Sequence, residues 1–253
     1  MPSTALGSHT WTLRTGGRLS SREARSLLAP VAKAHAANAV GRTAMLLRLN
    51  SGRRASVDLA LLAPPRTALA MAAETRATRL LPPVLLEHSY RAYAFGMALA
   101  QLEGVDVDVE LLFTAAMLHD VGLSGPRRDV DFTLASARAA RDVAEEVGLS
   151  SSATEVVRNA ITLHHTPGVS LDHGPVAYLL SAGAAADVAG LHAWKLPPAA
   201  IRQTLAQHPR CGFKRDFPSL WRAEATAVPA GRAEFLQRYA ALNLAIALAP
   251  YPD

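Results

Sequence analysis

Met117-Leu118-His119-Asp120-Val121-Gly122 places an imidazole and a carboxylate side by side at the end of an apolar segment. Apolar residues recur at helical spacing from Glu110 to Leu118 and glycine follows the pair, so the pattern predicts a helix that ends near His119. Two adjacent ligands at a helix end cannot hold a metal ion alone. Histidine nitrogen combined with carboxylate oxygen suits zinc, iron or manganese, provided that other segments supply further ligands.

Four residues elsewhere in the chain are candidate partners for this pair: His88, His164, His165 and Asp187. His88 borders an apolar helical stripe, where a lone histidine is more often an ordinary boundary residue than a ligand. Asp187 lies among small apolar residues, where a carboxylate needs a metal, an N-cap position or a salt bridge to an arginine. His164 and His165 end a helix, and adjacent side chains point about 100° apart, so both cannot face one site while that helix persists.

Composition favours one main intracellular domain. The chain has 253 residues, of which 50% are hydrophobic, and this is enough for a sizeable core. Cys211 is the single cysteine, which excludes a disulfide framework and a thiolate metal site. We recognise no secretory signal and no apolar run of about 18 residues. We therefore expect a cytoplasmic protein with no membrane partner.

Positive charge is concentrated at the beginning of the chain. Residues 1–66 contain ten arginines and lysines against Glu23 and Asp58, a balance of +8 within a net charge of +5. A basic leader can contact nucleic acid or an anionic surface. Because these arginines are scattered and no aromatic pattern for base stacking is interleaved with them, we expect no nucleic-acid partner.

Helical periodicity dominates the chain after Pro64-Pro65, and glycine or proline stands at the breaks. It predicts an all-α core with helices over residues 66–79, 84–102, 107–119, 131–147, 152–165, 174–190, 198–207, 214–226 and 231–248. A metal site in such a core is built from side chains of facing helices. We divide the chain into a basic N-terminal segment, residues 1–64, and an all-helical metal-binding domain, residues 65–253.

The N-terminal segment is harder to interpret. Residues 1–20 are rich in Ser, Thr and Gly, and we expect them to be disordered or loosely attached. Residues 21–39 predict a helix. Residues 43–63 fit either two short strands about a turn or further helix.

Five runs carry a resemblance to a known family: His88 to Gly96, Met117 to Leu123, Ala160 to Val169, Gly183 to Gly190, and Pro209 to Phe217. Together they span about residues 65–235. In their order and amino-acid sequence they resemble the HD-domain metalloenzyme superfamily, which is named for its His-Asp pair. Within that superfamily they resemble the cyanamide hydratase group.

The resemblance implies an all-helical HD-domain bundle that holds one divalent metal ion between its helices. The implied ligands are His88, His119, Asp120 and Asp187. The implied metal is Zn²⁺, as in the hydratase group, and Fe²⁺ or Mn²⁺ suits the same ligands. By the same resemblance His164 lines the pocket beside the metal and Thr166 shapes it. His165 stands where the family pattern has a small hydroxyl residue, and residues 1–64 resemble no family.

The leading functional hypothesis is hydration of cyanamide to urea, or of a related small nitrile to its amide. A divalent metal lowers the pKa of bound water from about 15.7 toward about 7, so that hydroxide is available to attack the nitrile carbon. Asp120 would bind the metal and orient the water, and His164 would donate a proton to the nitrile nitrogen. His165, His164 and Thr166 would contact this small-molecule substrate.

Two other functions are compatible with the same ligands. The first is HD-type phosphohydrolase chemistry on a nucleotide or other phosphate ester, for which Arg91, Arg127 and Arg128 lie near the ligands in sequence. A second metal would need His164 and His173, although His173 lies in a predicted surface turn. The second is a non-catalytic module that binds a nucleotide or a partner through the basic leader. The apolar final helix is compatible with a homo-oligomer.

Overall fold

The computed structural model describes residues 4–125 and 129–253. Over these residues the chain forms thirteen α-helices and three short 3-10 helices, with no strand beyond one isolated bridge between Arg18 and Gly231. The predicted all-α fold class is confirmed. None of the described helices is both long and apolar enough to cross a membrane.

The helices are α1 (His9–Thr15), α2 (Ser21–Leu46), α3 (Ala68–Leu80), α4 (Pro83–Glu103), α5 (Val109–Leu118), α6 (Val121–Ser124), α7 (Thr133–Val147), α8 (Ser151–Leu163), α9 (Pro175–Ala189), α10 (Pro198–Gln207), α11 (Phe213–Ala227), α12 (Arg232–Tyr239) and α13 (Leu242–Ala247). The 3-10 helices cover Ser51–Arg53, Leu59–Leu62 and Leu171–His173.

The helices predicted between residues 66 and 248 all have counterparts, from α3 to α13. One of them differs in continuity. The helix predicted over residues 231–248 is divided into α12 and α13 at Ala241, whose φ is 45°. A residue with a side chain in this left-handed region cannot continue a right-handed helix, so the chain turns there.

Helices α4 and α9 form the central pair of the bundle, and two glycines let their backbones approach closely. A Cβ atom on Gly183 of α9 would lie 2.1 Å from the carbonyl oxygen of Ala92 and 2.7 Å from the backbone nitrogen of Gly96. A Cβ on Gly96 would lie 2.9 Å from the carbonyl oxygen of Leu179. This close packing brings His88 of α4 next to Asp187 of α9.

Two other helix ends point at the same region of the bundle. Asp108 caps α5 by accepting a hydrogen bond from the backbone N–H of Leu111, and every residue from Leu111 to Leu118 is buried. The helix ends at His119, and Asp120 leaves helical geometry with φ −106° and ψ 7°. Helix α8 ends at His164. Both ends therefore present a histidine inside the core.

The expectation that residues 1–20 are disordered or loosely attached is wrong for the described part of this segment. Ser8 caps α1, and Trp11 within α1 is only 1% exposed. Trp11 donates a hydrogen bond from Nε1 to Glu23 at 2.7 Å, and the guanidinium of Arg232 lies 5.4 Å from its ring centroid. One buried tryptophan anchors this segment despite a composition rich in Ser, Thr and Gly.

The helix predicted over residues 21–39 extends to Leu46. It begins with a capping box, in which Ser20 Oγ accepts from the backbone N–H of Glu23 and the Glu23 carboxylate accepts from the backbone N–H of Ser20. Of the two alternatives for residues 43–63, helical structure is formed, as the end of α2 followed by two 3-10 helices. The division of the chain at residue 64 stays a prediction.

Candidate metal centre

Three side chains from α4 and the α5–α6 junction converge inside the bundle: His88, His119 and Asp120. The Nε2 atoms of the two histidines lie 3.2 Å apart. Asp120 Oδ2 lies 3.4 Å from Nε2 of His119 and 3.7 Å from Nε2 of His88. All three residues are at most 1% exposed. The ligating atoms of these three residues lie within 4.8 Å of one another, which is close enough to share one metal ion.

The hydrogen bonds of the two histidines determine which ring nitrogen faces the centre. His88 Nδ1 lies 2.6 Å from Asp187 Oδ2, and His119 Nδ1 lies 2.6 Å from the carbonyl oxygen of Ala116. Carboxylate and carbonyl oxygens only accept hydrogen bonds, so each Nδ1 carries a proton and the tautomer that suits a metal, with the lone pair on Nε2, is the one these contacts select. Two facing lone pairs beside a carboxylate are the donor set of a divalent cation.

His164 adds a third imidazole at the edge of this group. Its Nδ1 lies 2.6 Å from the carbonyl oxygen of Ile161, which leaves the lone pair on Nε2. Nε2 lies 3.7 Å from Asp120 Oδ1, a buried oxygen that has no hydrogen-bond partner among the described residues. A buried carboxylate oxygen without a donor is costly, and a cation or a water held by it removes that cost. The residues present therefore fit a divalent metal.

Burial favours the neutral forms of His119 and His164. It lowers the pKa of His119 from its ordinary value near 6.5, because the charged form loses hydration, and the adjacent His88 lowers it further while Asp120 opposes the change. Burial also lowers the pKa of His164 well below 6.5, with His119 and His165 acting in the same direction. Neutral His164 presents a hydrogen-bond acceptor at Nε2.

Asp187 lies on the other side of His88, where it accepts hydrogen bonds from one histidine and two arginines. Its donors are His88 Nδ1 at 2.6 Å, Arg91 Nε at 2.8 Å and Nη2 at 2.9 Å, and Arg210 Nη1 at 2.7 Å. Although burial opposes ionisation, Arg91 and His88 hold the pKa of this carboxyl group well below its ordinary value. The structure thus shows the salt bridge to arginine, and the role of Asp187 as a direct ligand stays a prediction.

His165 and Thr166 belong to a second buried cluster beside the candidate metal centre. His165 Nε2 lies 3.4 Å from Asp131 Oδ2, and Thr166 Oγ1 accepts from Arg232 Nη1 at 2.8 Å. Arg232 also donates to Asp131 Oδ2 from Nη2 at 2.7 Å. Although His164 and His165 are adjacent, α8 ends at Leu163, so one ring faces Asp120 and the other faces Asp131. Contact of His165 and Thr166 with a substrate stays a prediction.

Aromatic rings enclose both clusters. The rings of Phe213 and Phe217 lie 5.1 and 6.0 Å from that of His88, and Phe132 lies 5.8 Å from His164 and 5.2 Å from His165. Trp221 continues this wall against Phe217 at 5.7 Å. The result is an apolar enclosure around buried polar groups, in which electrostatic interactions are stronger than in water.

Sequence reasoning did not identify three of the charged residues around the centre: Asp131, Arg210 and Arg232. Arg210 lies in one of the runs that carry the family resemblance, although no role was assigned to it. Asp131 and Arg232 are 101 positions apart and have no shared local pattern. Only the fold brings them together.

The fold and the centre define an all-helical protein with a buried site for a divalent metal. Residues 85–197 match the family model described as the HD domain. The match includes His88, His119, Asp120 and Asp187. HD domains are mostly metal-dependent hydrolases, which supports an enzyme of that broad class. No curated protein matches the chain.

Proposed function

We propose that this protein is a metal-dependent hydratase that adds water to cyanamide, giving urea, or to a related small nitrile. The observation that carries the proposal is that the arginines around the centre are bound to carboxylates of the protein. Arg91 and Arg210 are hydrogen-bonded to Asp187, and Arg232 is hydrogen-bonded to Asp131. Among the described residues, each of these three buried cations is bound to a carboxylate and none is hydrogen-bonded toward the centre, which favours a small uncharged substrate there over a phosphate ester.

The ligands proposed for the metal are His88, His119 and Asp120, with Asp187 as the fourth in the family pattern. When bound there, a divalent ion would supply Lewis acidity and make water ionisable near neutral pH. Zn²⁺ is the metal we propose, and Fe²⁺ or Mn²⁺ accepts the same ligands. The chain itself positions the groups that move the protons.

Hydration moves both protons of water to the nitrile nitrogen, one during the addition that gives the imidic acid and one during its tautomerisation to the amide. Two side chains are placed for the first of these transfers. Asp120 Oδ1 and His164 Nε2 lie 3.7 Å apart and both are acceptors, so a water between them can donate to each. His164 Nε2 takes the water proton as the oxygen attacks the nitrile carbon. The imidazolium then returns that proton to nitrogen, which gives His164 the donor role in the second half of the reaction.

The aromatic enclosure suits an uncharged substrate. Phe132, Phe213 and Phe217 leave an apolar wall around the histidines and exclude bulk water. Exclusion of bulk water limits side reactions in such a site. It also makes hydrogen bonds within the site stronger than they are in solvent. A nucleotide, which carries several charges, would require cations that this wall does not supply.

The alternative is an HD-type phosphohydrolase acting on a nucleotide or another phosphate ester. The match to the HD domain supports this broad class of chemistry. Phosphate oxygens need cations or a second metal. Arg91 is bound to Asp187, and Arg127 and Arg128 lie outside the described residues. His173 lies in the exposed 3-10 helix Leu171–His173, so its side chain does not join His164 at the centre.

The test is urea release from cyanamide by zinc-loaded protein, beside a chelator-stripped sample and a panel of phosphate monoesters and nucleotides. We expect zinc-dependent urea formation that His119→Ala abolishes. His164→Gln should retain the metal and turn over slowly, while the exposed control His173→Gln should behave as wild type. Hydrolysis of a phosphate ester without hydration of any small nitrile would replace the proposal with the alternative.

A further inference from the structure

A cleft of about 260 Å³ opens at the beginning of α11, beside Arg210. Arg210, Cys211, Gly212 and Asp253 line it. Arg210 is 2% exposed, so this guanidinium is buried while one part of it borders the cleft. No step of the proposed reaction uses the cleft.

The hydrogen bonds of Arg210 are all on one side of its guanidinium group. Nη1 donates to the backbone oxygen of Asp187 at 2.8 Å and to Oδ1 of the same residue at 2.7 Å. Nε and Nη2 are buried and have no acceptor among the described residues. These two nitrogens form one edge of the planar group, which is the fork that binds both oxygens of a carboxylate or phosphate. An unoccupied buried fork indicates an oxyanion ligand.

A carboxylate oxygen already stands beside this edge. Asp253 Oδ1 accepts a hydrogen bond from the backbone N–H of Lys214, in the first turn of α11, at 2.9 Å. The same oxygen lies 3.8 Å from Arg210 Nε, which is within ion-pair range and beyond hydrogen-bond range. The start of a fifteen-residue helix favours negative charge, so the helix and the guanidinium attract an anion to one place.

We propose that this cleft binds a compact oxyanion, the phosphate or carboxylate group of a small ligand, in competition with the side chain of Asp253. The Nε–Nη2 edge of Arg210 holds two of its oxygens, and the backbone N–H of Lys214 holds a third contact. Asp253 is displaced because its side chain is 32% exposed and is free to turn toward solvent. Arg210 also binds Asp187, and Asp187 binds His88. The ligand of the cleft would therefore be linked to the metal centre through Arg210 and Asp187.

Cys211 provides a reporter at this site that the metal centre does not share. It is the single cysteine of the chain, it is exposed, and it lines the cleft. The experiment measures the rate of Cys211 alkylation by iodoacetamide in metal-loaded protein, against rising inorganic phosphate or acetate at constant ionic strength. We expect saturable protection, with phosphate stronger if the ligand group is a phosphate and acetate stronger if it is a carboxylate.

Two variants separate the proposed site from general salt effects. Asp253→Asn removes the competing charge and should tighten anion binding by about tenfold. Arg210→Lys removes the fork and should abolish protection. Arg222→Gln, an exposed charge removal further along α11, should leave the affinity unchanged. Absence of protection in both wild type and Asp253→Asn would overturn the proposal, as would equal affinities in these two proteins.

Discussion

Asp187 Oδ2 accepts a 2.6 Å hydrogen bond from Nδ1 of His88, and this contact turns Nε2 of His88 toward His119. A ligating histidine in proteins usually has such a partner, which fixes its tautomer and ring orientation. Asp187 is itself held by Arg91 and Arg210, so the orientation of His88 depends on these three buried groups. A carboxylate on α9 thereby orients a candidate ligand on α4.

Replacing Asp187 should affect both stability and metal affinity. In Asp187→Ala, Arg91 and Arg210 lose their buried partner, and breaking such a pair costs about 3–5 kcal/mol of unfolding free energy. Metal affinity should fall by about 10–100-fold because His88 is no longer oriented. Urea denaturation of the metal-free protein and competition with a chelating dye measure the two effects.

A conservative variant distinguishes an orienting carboxylate from a direct ligand. Asp187→Asn keeps an oxygen acceptor for His88 Nδ1 and removes the charge. With Co²⁺ in place of the native metal, an unchanged absorption spectrum in Asp187→Asn identifies Asp187 as orienting, whereas an altered spectrum identifies it as a ligand. Asp172→Asn, at an exposed position, is the matched control.

Metal binding should stabilise the folded chain and depend on His119. An ion that binds only the folded state adds about 2.7 kcal/mol when its free concentration is one hundred times the dissociation constant. We expect wild-type protein to bind one ion and gain this stability. His119→Ala should bind none and show the same melting temperature with and without metal. Calorimetric titration and thermal melts check both statements, and two tightly held ions in wild type would contradict the single-metal centre.

The sequence was sufficient for the helices and for the residues that meet at the centre, because both leave local signals. Apolar periodicity with glycine and proline at the breaks located α3 to α5 and α7 to α11. His119-Asp120 was recognisable as a buried polar pair at a helix end. His88 joins this pair in the structure as expected, and the HD-domain match covers both.

The partners of Asp187 and the burial of Trp11 could not be predicted, because they depend on contacts between residues that are distant in sequence. Nothing near Asp187 in sequence shows that Arg210 and Arg91 will surround it, so its apolar surroundings favoured a metal over the salt bridges that the structure shows. Trp11 was hidden in a polar segment whose composition indicates disorder. Its burial depends on Arg232, which is more than two hundred positions away.

Trp11 should contribute strongly to stability, contrary to what the composition of its segment suggests. Truncation of a buried aromatic side chain to alanine costs about 3–5 kcal/mol. We therefore expect Trp11→Ala to lower the unfolding free energy by that amount in chemical denaturation. Leu13→Ala in the same helix is the control, since Leu13 is 59% exposed and should change stability by less than about 0.5 kcal/mol. Equal effects of the two changes would show that α1 is not packed as described.

Gly183 should not accept even one methyl group. Its Cβ would lie 2.1 Å from the carbonyl oxygen of Ala92, a backbone atom that cannot move without separating α4 and α9. Overpacking of this kind typically costs about 1–3 kcal/mol, and a backbone clash lies at the upper end. Thermal melts of Gly183→Ala should show this loss, together with weaker metal binding because His88 lies on α4. Ala185→Ser, on a less buried face of α9, should melt close to wild type.

Acid should destabilise the metal-free protein before its carboxylates are protonated. Burial, reinforced by the charge of Arg158, lowers the pKa of His9 from 6.5 to about 4. Between these values the unfolded chain binds a proton that the folded chain does not, so the unfolding free energy falls as the pH falls from 6.5 toward 4. The loss for this one group is at most about 1.4 kcal/mol for each pH unit.

Urea denaturation at several pH values should show a shallower slope of unfolding free energy against pH for His9→Gln, while the exposed control His173→Gln should retain the wild-type slope. Identical slopes for His9→Gln and wild type would mean that His9 is protonated in the folded protein, and that its contact with Arg158 is not formed in solution.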